Sequence, residues 1–310
     1  IQRCNALSYG TKMPRVNWAT PVGVFDGPPP PLQEQKRIAA YLDASCVVID
    51  RAVEAKQKQL ETFDTLRKSI IQKAVTQGID PNVELKDSGV DYLGSVPLHW
   101  RVIKMKRLLS EPLSYGLNES GTDETPDNPR YIRITDFGKD GRLRGETFRS
   151  LPPEVAANAP LKEGDILLAR SGATVGKSFL FTNYAGQACY AGYLVKARAA
   201  THLIHPQFLY LYTKSISYQS WKNLIFTQAT IQNISATKYA SLEIPVPNIS
   251  EQLDILCFLD DELKQIDSIE SLIENQITTL TNYRKSLIHE CVTGKRRITE
   301  ADLAKVGANV

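Results

Sequence analysis

Acidic residues are missing from one long stretch of this 310-residue chain: between Ile166 and Leu242 there is no Asp or Glu. The same stretch carries Arg170, Lys177, Lys196, Arg198, Lys214, Lys222 and Lys238, so a net charge of only +3 conceals a locally basic segment. Such a surplus suits a polyanionic partner; the competing explanation is a solvated face decorated with basic side chains. Cysteine pairs are lacking too. Cys4, Cys46, Cys189, Cys257 and Cys291 are scattered with no C-x-x-C spacing, which excludes a disulfide framework and fits the reduced thiols of a cytosolic (cytoplasmic) protein. No apolar run approaches the ~18 residues of a membrane span, and Ile1-Gln2-Arg3-Cys4 opens no signal segment. With Ile rather than Met at position 1, the chain is expected to begin inside a longer protein. A hydrophobic content of 42% excludes a disordered tail or a collagen-like fibre. The length corresponds to roughly two folded units.

Proline and glycine are absent from two further stretches, and these turn out to be copies of each other. Pro28 to Gly78 recurs without a gap 217 residues later as Pro245 to Lys295. Glu34-Gln35 returns as Glu251-Gln252, Leu42-Asp43 as Leu259-Asp260, Ile49-Asp50 as Ile266-Asp267, and Arg67-Lys68-Ser69 as Arg284-Lys285-Ser286. A proline cluster opens each copy and Gly78 or Gly294 closes it, the start and stop signals of a helix. In the first copy Leu42, Cys46, Ile49, Val53, Leu60, Phe63, Leu66, Ile70 and Ala74 follow the spacing of an apolar helical stripe, and the second copy repeats it from Ile255 to Cys291. About 45 residues make a helix on the order of 65–70 Å long. One compact domain cannot bury a stripe of that length, so the two stripes are expected to cover each other as a coiled coil.

Between the copies, residues 79–244 read as an independent mixed α/β (α+β) domain. Strand-compatible runs at Tyr131 to Thr135, Asp165 to Ala169, Ser178 to Thr182 and Tyr190 to Val195 alternate with turn clusters, and Pro206 to Ile216 and Tyr218 to Leu224 look helical. About 165 residues is ample for a core of its own. The repeat also extends loosely backwards, since Gly10 to Thr20 sits where Thr227 to Thr237 sits in the second copy. Residues 1–27 are therefore expected to be the tail of another globular domain.

Catalytic chemistry finds no foothold in these residues. Gly172-Ala173-Thr174-Val175-Gly176-Lys177-Ser178 resembles a phosphate-binding loop, but it has three residues between its glycines instead of four, and Ser178 to Phe181 reads as a strand instead of a helix. His202 and His205 lack the further ligands of a zinc site. Asp165 has no partner carboxylate and lysine in nuclease-like arrangement, and nothing matches Ser-His-Asp or Cys-His chemistry.

Nucleic-acid contacts are better supported. A turn presenting backbone amides, Arg170 and Lys177 suits a phosphate backbone. Arg130, Arg133, Arg142, Arg144 and Arg149 cluster around Gly138 to Gly141, and arginine matches phosphates and guanine edges. Asp136, Asp140 and Glu146 interleave with them, so a surface salt-bridge network competes equally. The uncharged patch Thr227 to Asn233 offers Gln228, Gln232 and Asn233 for adenine edges and Thr230 for phosphate or a thymine methyl; a hydrogen-bonded turn is its alternative.

In their order, these pieces resemble the DNA specificity subunit of type I restriction-modification systems. The resemblance rests on Gly94-Ser95-Val96-Pro97-Leu98-His99-Trp100, on Leu161-Lys162-Glu163-Gly164-Asp165-Ile166-Leu167-Leu168 followed by Gly176-Lys177, on Gln228 to Ile234 leading to Ile244-Pro245-Val246-Pro247, and on the repeated Glu-Gln and long-helix units. It implies target recognition domains, each reading half of a bipartite DNA site, and two long helices packed antiparallel. It also implies a non-catalytic chain whose helices dock methylation subunits carrying S-adenosylmethionine, joined by motor/nuclease subunits that require ATP and Mg. On this basis 28–78 and 245–294 are the conserved spacer helices, 79–244 a complete recognition domain, 1–27 the remnant of a first one and 295–310 a tail. The chain is then either a fragment of a longer subunit or a half-subunit whose two-fold dimer restores two domains. The DNA contacts expected are Lys106, Tyr115, Arg130, Arg133, Arg142, Arg144, Arg170, Ser171, Lys177, Gln228, Thr230, Gln232 and Asn233. A coiled-coil scaffold without DNA specificity and a nucleotide-binding protein remain the alternatives.

Overall fold

A helix that starts after a proline cluster and stops at a glycine appears at both copies of the repeat. The computed structural model describes residues 30–121, 123–138, 141, 143–172, 174–227 and 232–307. Helix α1 runs Leu32–Gln77 and is 46 residues long. Its repeat-mate, α6, runs Ile249–Val292 and is 44 residues long. Pro31 supplies the first carbonyl of α1, accepting from the amides of Glu34 and Gln35 at 2.8 and 3.0 Å. Gly78 ends the helix at φ +79°, with its amide on the Ala74 carbonyl. A residue lacking Cβ occupies that left-handed position at little cost. The expected remnant at 1–27 lies outside the described residues.

The chain divides into two compact units, Ile1–Gln59 with Leu272–Val310, and Leu60–Ser271. In the first, the α1 stripe residue Ile49 and its off-stripe neighbour Tyr41 bury against Leu287 and Cys291 of α6, while the stripe residue Leu42 is only partly buried. Ile298 and the short helix α7 (Glu300–Gly307) close this core, with Leu303 and Val306 packed against it. Arg296 lies over the Tyr41 ring at 5.4 Å, and Arg37 pairs with Glu300 at 3.5 Å. Tyr41 is thus covered by the segment that follows α6, an arrangement that the helical periodicity alone does not disclose.

In the second unit, Ile71, Ala74 and Val75 of α1 and Ile255, Leu256 and Leu259 of α6 join a single core with Trp100, Met105, Phe208, Tyr212, Tyr218 and Tyr239 of the mixed α/β domain. The two helices are antiparallel in each unit, which agrees with the coiled-coil expectation. Strands β1 (Leu85–Asp87) and β2 (Ser95–Pro97) form a hairpin. Strand β3 (Arg101–Lys104) pairs antiparallel with β10 (Glu243–Val246), so the chain enters and leaves the domain on adjacent strands. Between them lie β4 (Ser114–Tyr115), β5 (Arg130–Ile132), helix α2 (Pro153–Ala156), β6 (Ile166–Ala169), β7 (Ser178–Leu180), β8 (Ala188–Tyr190) and β9 (Leu194–Ala197). Helices α3 (Pro206–Tyr212), α4 (Ile216–Thr227) and α5 (Ala236–Ala240) follow.

The central sheet has the order β4-β9-β6-β7 and is antiparallel throughout, while β5 pairs with β8 in parallel. Strand β6 explains why its sequence is uniformly apolar. Ile166 and Leu168 face the helical core, and Leu167 and Ala169 face a second core with Ile132, Phe179, Tyr190 and Leu194. A strand covered on both sides reads as a continuous hydrophobic run. At its head the buried Asp165 accepts from Arg198 Nε and Nη2, both at 2.7 Å, and from the Lys162 amide at 2.8 Å.

Several expected elements differ, each for a local reason. The run Tyr131 to Thr135 ends as a strand at Ile132, because the Asp136 carboxylate captures the Arg133 amide at 2.7 Å and turns Ile134–Asp136 into a 3-10 helix. The run Tyr190 to Val195 splits between two sheets. Its middle amides are taken by other segments: Ala191 donates to Ile132 and Gly192 to Leu117. Helix α3 stops at Tyr212, earlier than expected, and α5 was not anticipated at all.

The repeated Glu-Gln acquires a clear role. In the second copy Glu251 accepts from Trp100 Nε1 at 2.9 Å and lies 2.9 Å from His99 Nε2, holding the end of the Gly94 to Trp100 motif. Gln252 is fully buried. Its Oε1 accepts from the His205 amide at 2.7 Å, and its Nε2 donates to Leu203 and Pro247, both at 3.0 Å. These bonds fasten the mixed α/β domain to the start of α6.

Candidate nucleic-acid interface

The segment once resembling a phosphate-binding loop is the tip of the β6–β7 hairpin. Ala169 donates to Lys177 and Gly176 donates back to Ala169, both at 2.8 Å. No helix follows Lys177-Ser178, because Ser178–Leu180 pairs antiparallel with Ile166 to Leu168. Two buried tyrosines pin the hairpin from below. Tyr239 donates to the Ala169 carbonyl and Tyr218 to the Gly176 carbonyl, each at 2.8 Å. Burial pushes the titration of both hydroxyls upward, so they stay protonated donors. Trp221 lies between them, its ring 5.4 Å from Tyr218 and 5.7 Å from Tyr239.

Three segments distant in sequence converge beside this tip. The Arg170 guanidinium stacks over the Tyr115 ring at 4.6 Å. Tyr115 OH accepts from the Ala236 amide at 2.9 Å, satisfying an otherwise unpaired donor at the start of α5. Ser171 bridges to Asn233, and the Arg170 backbone bonds Tyr193 O at 3.0 Å on one side and Ile234 N at 2.8 Å on the other. Gly116 makes this approach possible: a Cβ there would meet the backbone oxygens of Tyr190 at 2.2 Å and Ala191 at 2.5 Å. Tyr193, 67% exposed, adds an aromatic ring to the same place.

Positive charge flanks the junction on two sides. Lys104 and Lys106 line a groove of about 380 Å³ with Leu109, Pro112, Ala236 and Thr237. On the other side, Lys177 is exposed, and Lys222 of α4 runs along Gly176, with its Cδ 2.3 Å from where a Gly176 Cβ would stand. Burial and the Lys177 charge lower the pKa of Lys222, and the same causes bring Lys214 down to about 8. Lys214 is held inside, donating to the Ser178 carbonyl at 2.7 Å with its ammonium 4.6 Å from the Tyr210 ring centroid.

The structure thus brings together Lys106, Tyr115, Arg170, Ser171, Lys177 and Asn233 from the expected contacts, with Gln232 exposed alongside. The Asn233 amide oxygen is buried and has no hydrogen-bond partner among the described residues. Gln228, Thr230 and Arg142 lie outside the described residues. The sequence pattern passed over Lys104 and Tyr193. Lys222 was visible only as one charge of the basic segment.

The arginine patch needs correction. Arg130 is 5% exposed, sandwiched between Phe148 and Tyr184 with its Nη2 on the Arg144 carbonyl, so it cannot present a fork to DNA. Arg133 grips buried Asp136 at 2.9 Å and the Thr147 carbonyl at 2.9 Å, bracing the turn. Arg149 pairs with Glu124. The salt-bridge network expected as the equal competitor describes Arg133 and Arg149, whereas Arg130 is held by two ring faces and a carbonyl, and Arg144 remains exposed.

The acid-free segment is corrected in the same way. Lys196 pairs with Glu111 at 2.9 Å, and Arg198 joins Glu111 at 3.0 Å as well as Asp165, so carboxylates outside the segment neutralise charges within it. Burial pushes the Glu111 pKa up, but its bond to Lys196 and the nearby positive charges outweigh this and hold it below the usual range. With Lys214 also turned inward, Arg170, Lys177, Lys222 and Lys238 are the basic residues of the segment that no carboxylate pairs among the described residues. Among the described residues no cluster of three or more His, Cys, Asp or Glu could hold a metal ion, and no helix is long and apolar enough to cross a membrane.

Comparison with known proteins agrees with this architecture. The chain is 24% identical over 277 residues to the type I restriction enzyme MjaVIII specificity subunit of Methanocaldococcus jannaschii, covering 87% of this chain and 62% of that protein. It is likewise 24% identical to the EcoBI specificity subunit of Escherichia coli, over 86% of this chain and 58% of that one. It therefore spans about three fifths of the length of these relatives. The fold matches a chain in a structure concerning complex assembly and conformational transition of the type I R-M system, with TM-score 0.65, 17% identity, and coverage of 85% of this chain and 60% of that one. Residues 125–279, half of the chain, match the type I restriction modification DNA specificity domain, and the chain belongs to that family.

Proposed function

We propose that this chain is a non-catalytic, sequence-specific DNA-binding subunit of a type I restriction-modification complex, whose recognition domain reads half of a bipartite target. The observation that carries this reading is the junction of Tyr115, Arg170, Ser171 and Asn233, flanked by Lys104 and Lys106 on one side and by Lys177 and Lys222 on the other. Lysines there neutralise phosphates and release counterions, giving affinity that falls steeply with salt. Side chains between them are placed to reach base edges.

The helices serve as docking surfaces for methylation subunits. Leu66 and Tyr283, 217 residues apart, occupy the same repeat position and, although Leu66 belongs to the stripe expected to be covered by the other helix, they are 44% and 51% exposed. Equivalent apolar side chains on both copies suit two molecules of one partner. S-adenosylmethionine, ATP and magnesium enter this scheme only through partner subunits. The deciding experiment is reconstitution with the cognate methylation subunit and mapping of the methylated sites. Methylation confined to one target, with Lys177→Ala and Lys222→Ala each weakening all sequences alike and lowering the salt slope by about one unit, is expected. Absence of site-specific methylation would overturn the assignment.

A further inference from the structure

The basic residues of the interface are not held alike, and the difference divides their labour. Lys177 and Lys106 are exposed ammonium groups on flexible stems, suited to neutralising phosphate as point charges. Arg170 is only partly exposed and its guanidinium carbon lies over the Tyr115 ring, 4.6 Å from the centroid. No carboxylate pairs with it among the described residues, in contrast to Arg133, Arg149 and Arg198. Its backbone is clamped between Tyr193 and Ile234 at the end of the doubly covered strand β6. The supporting ring is itself tied down, through its hydroxyl to Ala236 and through the close approach of Gly116 to the 190–191 backbone.

A point charge for phosphate gains little from such fixing. A fork that must meet two acceptors on one base edge gains directional precision, and the ordering of its rotamers precedes binding. From this geometry we infer that Arg170 is a base-reading residue that makes paired hydrogen bonds to a purine edge presenting two acceptors, as guanine does in the major groove, and that Tyr115 is its positioning residue. This revises the phosphate role expected for Arg170 from sequence, and it rests on the DNA-binding reading above.

The test uses the full chain with its methylation subunits and a set of duplexes in which each base pair of the wild-type half-site is varied, at several salt concentrations. Arg170→Lys keeps the charge and loses the fork. It should reduce discrimination at one base pair by roughly 5- to 100-fold while leaving random-sequence affinity and salt slope unchanged. Tyr115→Leu should relax the same base pair, and Tyr115→Phe, which keeps the ring face but loses the tether to Ala236, should relax it less. Tyr115 is 43% exposed, so neither change opens a core cavity. The inference is overturned if Arg170→Lys retains full discrimination, or if Arg170→Ala weakens every duplex equally with a salt slope lower by about one unit. It is overturned equally if Tyr115→Leu leaves the preference intact. Failure of the DNA-binding reading looks different: the wild-type assembly itself would then select no sequence.

Discussion

Arg67 Nη2 lies 2.6 Å from Asp267 Oδ1, and the same pairing recurs with its partners exchanged at Arg284 and Asp50, 2.9 Å apart. Each residue is 217 positions from its counterpart, so the repeat preserves an interhelical contact as well as a pattern. The two pairs are not equally strong. Arg67 also donates to Glu270 at 2.6 Å and is 24% exposed, whereas Arg284 Nε stands at ion-pair distance from Asp50 without hydrogen-bond alignment. A double-mutant cycle on Arg67 and Glu270 should therefore give a coupling of about 1 kcal/mol, and one on Arg284 and Asp50 only a few tenths. Equal couplings would show that the aligned, less exposed Glu270 contact is no stronger than the unaligned Asp50 pair.

A second asymmetry concerns the repeated glutamine. Gln35 donates to Pro30 O at 2.7 Å just as Gln252 donates to Pro247 O at 3.0 Å. Gln252 also bonds His205 and Leu203 and is buried, while Gln35 is exposed. Gln252→Leu should destabilise the mixed α/β domain by about 2–3 kcal/mol, because it strands the part-buried His205 amide and the buried Pro247 carbonyl. Gln35→Leu should shift stability of this chain by less than about 0.5 kcal/mol. Chemical denaturation of both variants checks the contrast, and similar losses would refute it.

Much of this architecture was legible because the signals were local or repeated. The 217-residue repeat exposed both helices, and the apolar run at Ile166 to Ala169 exposed the strand that both cores share. The interface was legible only in its parts. Tyr115 and Arg170 meet because β4 and β6 each pair with β9, a topology that no residue near either one signals. Arg133 looked available because the carboxylate of Asp136 that holds it could equally have been a solvated neighbour, and Arg130 because no local signal announces the Phe148 and Tyr184 rings that cover it. Lys196 and Arg198 looked free for a similar reason: their partners, Glu111 and Asp165, lie outside the acid-free segment.

Gly176 provides a test of how the lysines proposed to face phosphate are supported. It sits at φ +79°, and an added Cβ would stand 2.3 Å from Lys222 Cδ. Gly176→Ala should cost about 1–3 kcal/mol through backbone strain and displace Lys222, lowering DNA affinity without altering sequence preference. A variant as stable as the wild type in thermal melts would show that the tip relaxes freely.

Lys214 makes a prediction in pH. Burial first, and the Lys177 charge second, lower its pKa from 10.5 to about 8. An amine with a depressed native pKa binds fewer protons when folded than when unfolded between those two values. Its burial penalty is therefore complete below about 8 and fades as pH rises towards 10.5. Lys214→Met retains an apolar stem beside Tyr210 without the charge, so it should be more stable than the wild type at pH 7. Between about pH 7 and 9.5 the wild type should recover on the order of 2 kcal/mol relative to the variant. Denaturant titrations of both proteins across that range measure the difference directly. A gap that stays constant with pH would mean that Lys214 keeps its proton throughout, and that its bond to the Ser178 carbonyl and its contact with the Tyr210 ring compensate fully for burial.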